Sequence, residues 1–318
     1  MTILNTPSTL LFTTAIVLLT ILNFSSAAQV KPKSPSLRSI SISSQPNAKV
    51  WINGVLYGTT SKTGTLGIKT VSPGRKSIRV RADGFKEAQK ILRSTQSGPI
   101  SIPLTKTTDE AELTFQNAER LASVDREKAA AAYELAAELH PGYTNALIGL
   151  ARVSLDAGDF ERALKAIAAV RKSQPGSAEA SAIEGRILRS IGEETAAIAA
   201  FDRAIKEGNG FQPEAYAGLG LLYMQRAENA GAGGEFDEES ANYGKAAENL
   251  SVAIKQLSGA PDAVVLYQFL GLVYEQQKKF DDAIAVYREF LTHYPGHAES
   301  TAFESFIVQL RKQMEKPE

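Results

Sequence analysis

Residues Val264–His297 read VVLYQFLGLVYEQQKKFDDAIAVYREFLTHYPGH, and their spacing decides the fold. Tyr267, Leu270, Gly271 and Tyr274 recur every three or four residues, the period of one helical face. A polar break at Lys278 and Lys279 follows, and then a second periodic set, Phe280, Ala283, Tyr287 and Phe290, closed by Pro295. The stretch therefore predicts two short amphipathic helices joined by a tight turn. Gly271 and Ala283 are small where two such helices approach most closely.

The pattern recurs upstream. Thr144–Ser177 carries Leu147, Leu150, Ala151, Phe160, Ala163, Ile167, Val170 and Pro175 in the same order. Ala178–Phe211 carries Gly185, Leu188, Ala197, Phe201 and Ala204, with Asn209 where a proline is usual. Pro213 opens another copy with Tyr216, Leu219, Gly220 and Tyr223, whose second half resumes at Ala246, Leu250 and Ala253. Between the halves lies an insertion, 228–242, Gly-rich and then acidic (Glu235, Asp237, Glu238, Glu239), expected to be a solvated loop. Glu110–Tyr143 supplies a first copy through Ala129, Tyr133, Ala136 and Pro141. This alternation of bulky, small and aromatic residues over about 34 positions resembles the tetratricopeptide repeat (TPR) family. The resemblance implies a mainly α protein: an α-solenoid of five helix-turn-helix repeats over 109–297, then a capping helix and tail over 298–318. One repeat cannot bury its apolar face alone, so neighbours must stack.

Residues 37–105 follow a different rule. Ile40 and Ile42 alternate with serines, and Ile100, Ile102 and Leu104 alternate at the far end. Between them Lys49-Val-Trp-Ile meets Val-Leu-Tyr across Asn53-Gly54, a hairpin signal. Pro73-Gly74 and Asp83-Gly84-Phe85 mark further turns. Ile78, Val80 and Ala82 alternate with Ser77, Arg79 and Arg81, which predicts both arginines on the outer face. With Gln45-Pro-Asn-Ala-Lys-Val-Trp-Ile-Asn-Gly54 and Gly58-Thr-Thr60, the segment resembles the PEGA domain, although Asn47 replaces the acidic residue of the name-giving tetrapeptide. That resemblance implies a small all-β, sandwich-type module without catalytic activity, of the kind found in exported and cell-surface bacterial proteins.

Overall neutrality, 35 basic against 35 acidic residues, hides a division. Residues 31–106 hold 14 basic and two acidic side chains, so the β segment stands near +12 and the repeats near −12. Such asymmetry speaks of partners rather than of fold. Arg75, Lys76, Arg79 and Arg81 form the expected basic surface, suited to an anionic envelope polymer or membrane surface. The first 30 residues are uncharged. Their apolar run, 10–24, followed by Ser-Ser-Ala-Ala, predicts a signal peptide over 1–28, cleaved after Ala28, or a short anchor, with 29–36 as linker. Either reading predicts an exported protein of the periplasm or cell envelope, and hence no nucleic-acid partner.

No cysteine is present, which excludes disulfides and thiolate chemistry. Neither a phosphate-binding loop nor a nucleophile elbow occurs. His293 and His297 are separated by the helix-breaking Pro295, so no metal site is expected. The sequence thus predicts no cofactor and no enzyme. What the TPR resemblance implies instead is a protein or peptide partner in the concave groove lined by first helices. The groove positions are Asn145, Ile148, Arg152 and Leu155, then Glu179, Ala182, Arg186 and Arg189. Ala217, Leu221 and Met224 follow, and then Gln268, Leu272 and Glu275. Arg152 and Arg186, with Arg189 one turn on, form a column suited to a carboxylate, with Leu221, Met224 and Leu272 for an apolar part. The alternative is that the arginines pair with neighbouring acids such as Asp156 and Glu184.

Overall fold

The computed structural model describes residues 38–71, 74–257 and 259–315. The expected signal peptide or anchor, the linker over 29–36, Pro73 and the last three residues lie outside them.

Among the described residues seven strands form the N-terminal domain: β1 (Arg38–Ser43), β2 (Lys49–Ile52), β3 (Val55–Thr59), β4 (Thr65–Val71), β5 (Lys76–Arg81), β6 (Ala88–Leu92) and β7 (Gly98–Ser101). One sheet has the order β4-β1-β7, with β1 antiparallel to β4 and parallel to β7. The other, β3-β2-β5-β6, is antiparallel throughout. The alternating apolar residues meet in one core that includes Ile40, Ile42, Val50, Ile78, Val80 and Ile100. The β2–β3 hairpin turns on Asn53 and Gly54, at φ of 49° and 82°. Two positive φ values are what a two-residue hairpin requires, and Asn-Gly tolerates them.

Ten helices then pair in order. The pairs are α1 (Glu110–Leu121) with α2 (Arg126–Leu139), and α3 (Thr144–Ala157) with α4 (Phe160–Ser173). Next come α5 (Ala178–Ser190) with α6 (Glu194–Glu207), α7 (Pro213–Gly233) with α8 (Phe236–Leu257), and α9 (Ala263–Gln276) with α10 (Phe280–His293). A single helix, α11 (Ser300–Met314), closes the array and buries Phe303, Ile307 and Leu310. Asp109, Asp125, Asp159 and Ser177 cap four of the helices through their side chains, accepting from backbone N–H groups that have no partner inside the helix.

The stacking depends on small residues facing rings. A Cβ on Gly185 would stand 2.6 Å from the Phe201 ring, and one on Gly218 of the next repeat 2.3 Å from the same ring. Phe201 is fully buried between them. Gly271 admits Tyr287 in the same way. Glycine is needed here for close approach, not for a special backbone angle.

The 228–242 segment differs from the solvated loop expected of it. It is helical, lengthening α7 to 21 residues and α8 to 22, where neighbouring α6 and α9 have 14. Ala227 joins Tyr243, Ala246 and Ala247 in one apolar cluster, and Gly234 turns the chain at φ 79°. Within the segment Ala230 and Asn242 are buried and Gly231 faces Glu239, while residues 232–238 stay exposed, so the expected solvation holds and the expected loop is replaced by helix ends.

The β domain lies against the array at both ends. Val55 belongs to the apolar cluster of the C-terminal repeats, and the Tyr57 hydroxyl donates to the Leu257 carbonyl at 3.0 Å. At the other end the Gly84 N–H donates to Gln116 Oε1 at 2.7 Å, and Gln116 Nε2 donates to the Phe85 carbonyl at 2.9 Å.

Arg81 is the centre of that second contact, and its expected outer position needs correction. It is 4% exposed, ion-paired to Glu87 at 2.5 Å and to Glu119 of α1 at 2.6 Å. Its guanidinium lies between the rings of Trp51, 5.1 Å away, and Phe115 of α1, 4.4 Å away. Alternation along β5 correctly turns it away from the β core, but α1 covers that face. Burial works against its charge, yet the Glu119 and Glu87 carboxylates outweigh it and raise the pKa.

Two expectations follow. Gly185→Leu overpacks the Phe201 seam and lowers stability by roughly 1–3 kcal/mol, read as a reduced urea midpoint. Arg81→Met leaves Glu119 and Glu87 only the longer pairs with Lys49 and Arg79 and costs about 3–5 kcal/mol, with faster proteolysis over 105–109; an unchanged midpoint removes Arg81 as the latch.

Candidate functional site

A chamber of about 870 Å³ opens between the β2–β3 hairpin and the first helices of the central repeats. The β domain contributes Trp51, Asn53, Gly54, Val55, Leu56 and Arg79. From the array come Asn145 and Arg152 of α3, Glu179, Arg186 and Arg189 of α5, and Glu214, Ala217 and Leu221 of α7. Phe211, Asp262 and Leu266 extend the lining. Helix-first positions one turn apart point the same way along an α-helix, which is why these side chains converge.

The arginine column is present, but two of its members are engaged. Arg152 makes a bidentate pair with Glu214, at 2.9 and 2.6 Å, and donates to Glu179 at 3.2 Å. Arg186 donates to the same Glu214 at 3.0 Å and reaches Asp156 at 3.5 Å. Glu184 serves Arg171 and Arg203 instead. Arg189 makes no hydrogen bond or ion pair among the described residues; burial, and then the charge of Arg186, lower its pKa. Burial opposes the charge on Glu214 as well, but Arg152 and Arg186 outweigh that and hold its carboxyl below the ordinary value. Glu214 carried no signal in the sequence, because an acid after Pro213 at a helix start is ordinary electrostatics.

Other expected groove residues are placed elsewhere. Met224, Gln268 and Leu272 lie outside the chamber lining, farther along α7 and α9, and Leu272 is 37% exposed. Ile148, Leu155 and Ala182 are core rather than groove, because the next helix packs over them. Glu275 accepts from the Tyr287 hydroxyl at 2.6 Å.

The expected basic surface is divided too. Arg75 alone of the four is exposed. Lys76 is half-buried, and burial followed by the charge of Arg38 lowers its pKa. Arg79 turns into the chamber with its guanidinium 4.7 Å from the Trp51 ring, and Arg81 is the buried latch. No cluster of three or more His, Cys, Asp or Glu side chains stands ready for a metal ion among the described residues.

Comparison with known proteins agrees with this architecture. Residues 37–107 match the model of the PEGA domain, and residues 148–210 and 270–297 match two models of the tetratricopeptide repeat. No curated relative matches the sequence. Among solved structures, the yeast Tom70 structure has a TM-score of 0.51 at 17% identity, covering 65% of this chain and 41% of that one. A MamA protein is 24% identical over 59% of this chain and 93% of its own, with a TM-score of 0.41. A thermophilic TPR protein of Thermus thermophilus is 18% identical, covering 62% of this chain and 99% of its own, with a TM-score of 0.46.

Linkage gives the Glu214 network a pH signature. A carboxyl depressed in the fold contributes stability that is present above its ordinary value of 4.5 and is lost as pH falls through the native value. Glu214→Gln is expected to lower the urea midpoint by the equivalent of about 1–3 kcal/mol at about pH 7, since it leaves Arg152 with Glu179 alone and Arg186 with Asp156 alone. The gap between parent and variant should narrow as pH falls below the ordinary carboxylate value; a gap that stays constant through the acid range would locate the effect in packing.

Proposed function

Because the chain is a PEGA domain followed by tetratricopeptide repeats, a fold that generally serves as a non-catalytic interaction scaffold, we propose that it is a non-enzymatic adaptor of the bacterial cell envelope. Its protein or peptide partner is bound on the concave, first-helix side. The observation that carries this reading is that this side keeps uncommitted recognition groups. Arg189 is unpaired among the described residues and Leu272 is exposed, while Gln268 is held only by a long 3.5 Å bond to Glu299 and Met224 packs against the C-terminal cluster. An exposed leucine beside adaptable polar groups suits a peptide laid along first helices. The envelope assignment rests on the apolar N-terminal run and on the PEGA resemblance.

A second reading, attachment to an anionic envelope polymer, keeps support from Arg75, Lys86, Lys90 and Arg93, all exposed on the β domain. It predicts binding to envelope material that weakens steeply with salt.

The adaptor reading is tested by affinity capture from envelope extract with the whole chain as bait, beside Leu272→Glu and Gln268→Glu variants that melt like the parent. A partner retained by the parent and lost by Leu272→Glu is the expected result. An identical catch from all three baits removes the first-helix surface from the account.

A further inference from the structure

The chamber has two walls from different domains, and each wall carries a guanidinium without a hydrogen bond. On the array side this is Arg189. On the β side it is Arg79, whose Nε is buried and unpartnered and whose nearest acid, Glu87, stands 3.8 Å away. That ion pair is long because Glu87 is held more closely by Arg81, at 2.5 Å, and the Trp51 ring, 4.7 Å from the Arg79 guanidinium, is the other support of its cation. The other charged groups of the lining are matched: Arg152 and Arg186 by Glu214 and Glu179, and Glu207 by Arg171 and the Ser181 hydroxyl. Asp262 is the exception, and it is exposed at the rim.

From this we infer that the chamber is an interdomain site for a small oxyanion-bearing organic molecule, clamped between Arg79 of the β domain and Arg189 of the repeats. Both guanidinium groups are half-buried and make no hydrogen bond among the described residues, and carboxylate or phosphate oxygens supply the acceptors their forks are shaped for. The volume, about 870 Å³, lies in the range of small-molecule pockets, which also favour domain interfaces. Phe211, Leu221 and Leu266 offer apolar surface for the body of such a ligand. Arg152 and Arg186 are already neutralised, so they shape the floor and add no net attraction. The inference rests on the first-helix side being a working surface, but it concerns a small ligand rather than the protein partner. A ligand touching both walls ties the β domain to the array.

The test is calorimetry on the whole chain with citrate and glutamate as carboxylates, inorganic phosphate and glucose 6-phosphate as phosphates, and glucose as the neutral control. Arg79→Gln and Arg189→Gln are the variants, and Arg79→Lys preserves charge without the fork. Neither residue has a hydrogen bond to lose, so circular dichroism and melts should match the parent. The expected result is binding of one oxyanion class and not of glucose, weakened about tenfold or more by each Gln variant and by rising salt. Bound ligand should also slow proteolysis over 105–109. Which class binds separates carboxylate from phosphate. Binding by none of the probes overturns the proposal. Binding lost in Arg189→Gln but unchanged in both Arg79 variants overturns the interdomain clamp, and leaves any capture by Leu272 unaffected.

Discussion

The fit of the Phe201 ring between Gly185 and Gly218 is the constraint on which the array depends. One glycine lies in the partner helix of its own repeat and the other in the first helix of the next, so a single ring fixes both packing steps. Gly271 with Tyr287, and Gly149 with the Tyr133 ring, repeat the device elsewhere. Backbone brought this close leaves no room for adjustment, and close-packed interiors transmit such restraint along the stack. The first helices therefore present their outer positions at fixed spacing, which is what turns separate side chains into a surface.

The β domain exploits that rigidity. It contacts α1 through Arg81 and Gln116, and the α8–α9 connection through Val55 and Tyr57. The span between those contacts is crossed by the β2–β3 hairpin, which closes one side of the chamber. Arg81 is costly to bury, and two carboxylates together with two aromatic rings offset that cost only when the domains are together. Glu119 and Phe115 come from one domain, and Glu87 and Trp51 from the other. A buried ion pair of this kind is weak as a source of stability but strongly penalises any other arrangement. It specifies the docking.

Charge within the chamber follows the same logic. Glu214 joins Arg152 and Arg186, residues from two different repeats, into one network. That network holds α3, α5 and α7 in register while removing two cations from the pool available to a ligand. Arg189 and Arg79 remain outside it, one on each wall.

Much of this was legible in the chain of letters. The 3–4 residue spacing with small residues at fixed places yields helix pairs, and strict alternation around Asn53-Gly54 yields strands and their hairpin, because both periods are local properties of the backbone. Placing Asn145, Arg152, Arg186, Arg189 and Leu221 on one side came from the TPR resemblance, whose repeat register assigns them to the first helices. Tertiary structure decided the rest. It turned Arg79 and Arg81 from a presumed outer face toward the repeats, since nothing in β5 says that a helix some 30 residues away will cover it. It extended helices through most of the 228–242 segment, since the paired ends of α7 and α8 are anchored by Ala227, Ala230, Asn242 and Tyr243, which no spacing along the chain brings together. It gave Glu214 to two arginines of other repeats, since ion pairing depends on distance in space and leaves no trace in spacing along the chain.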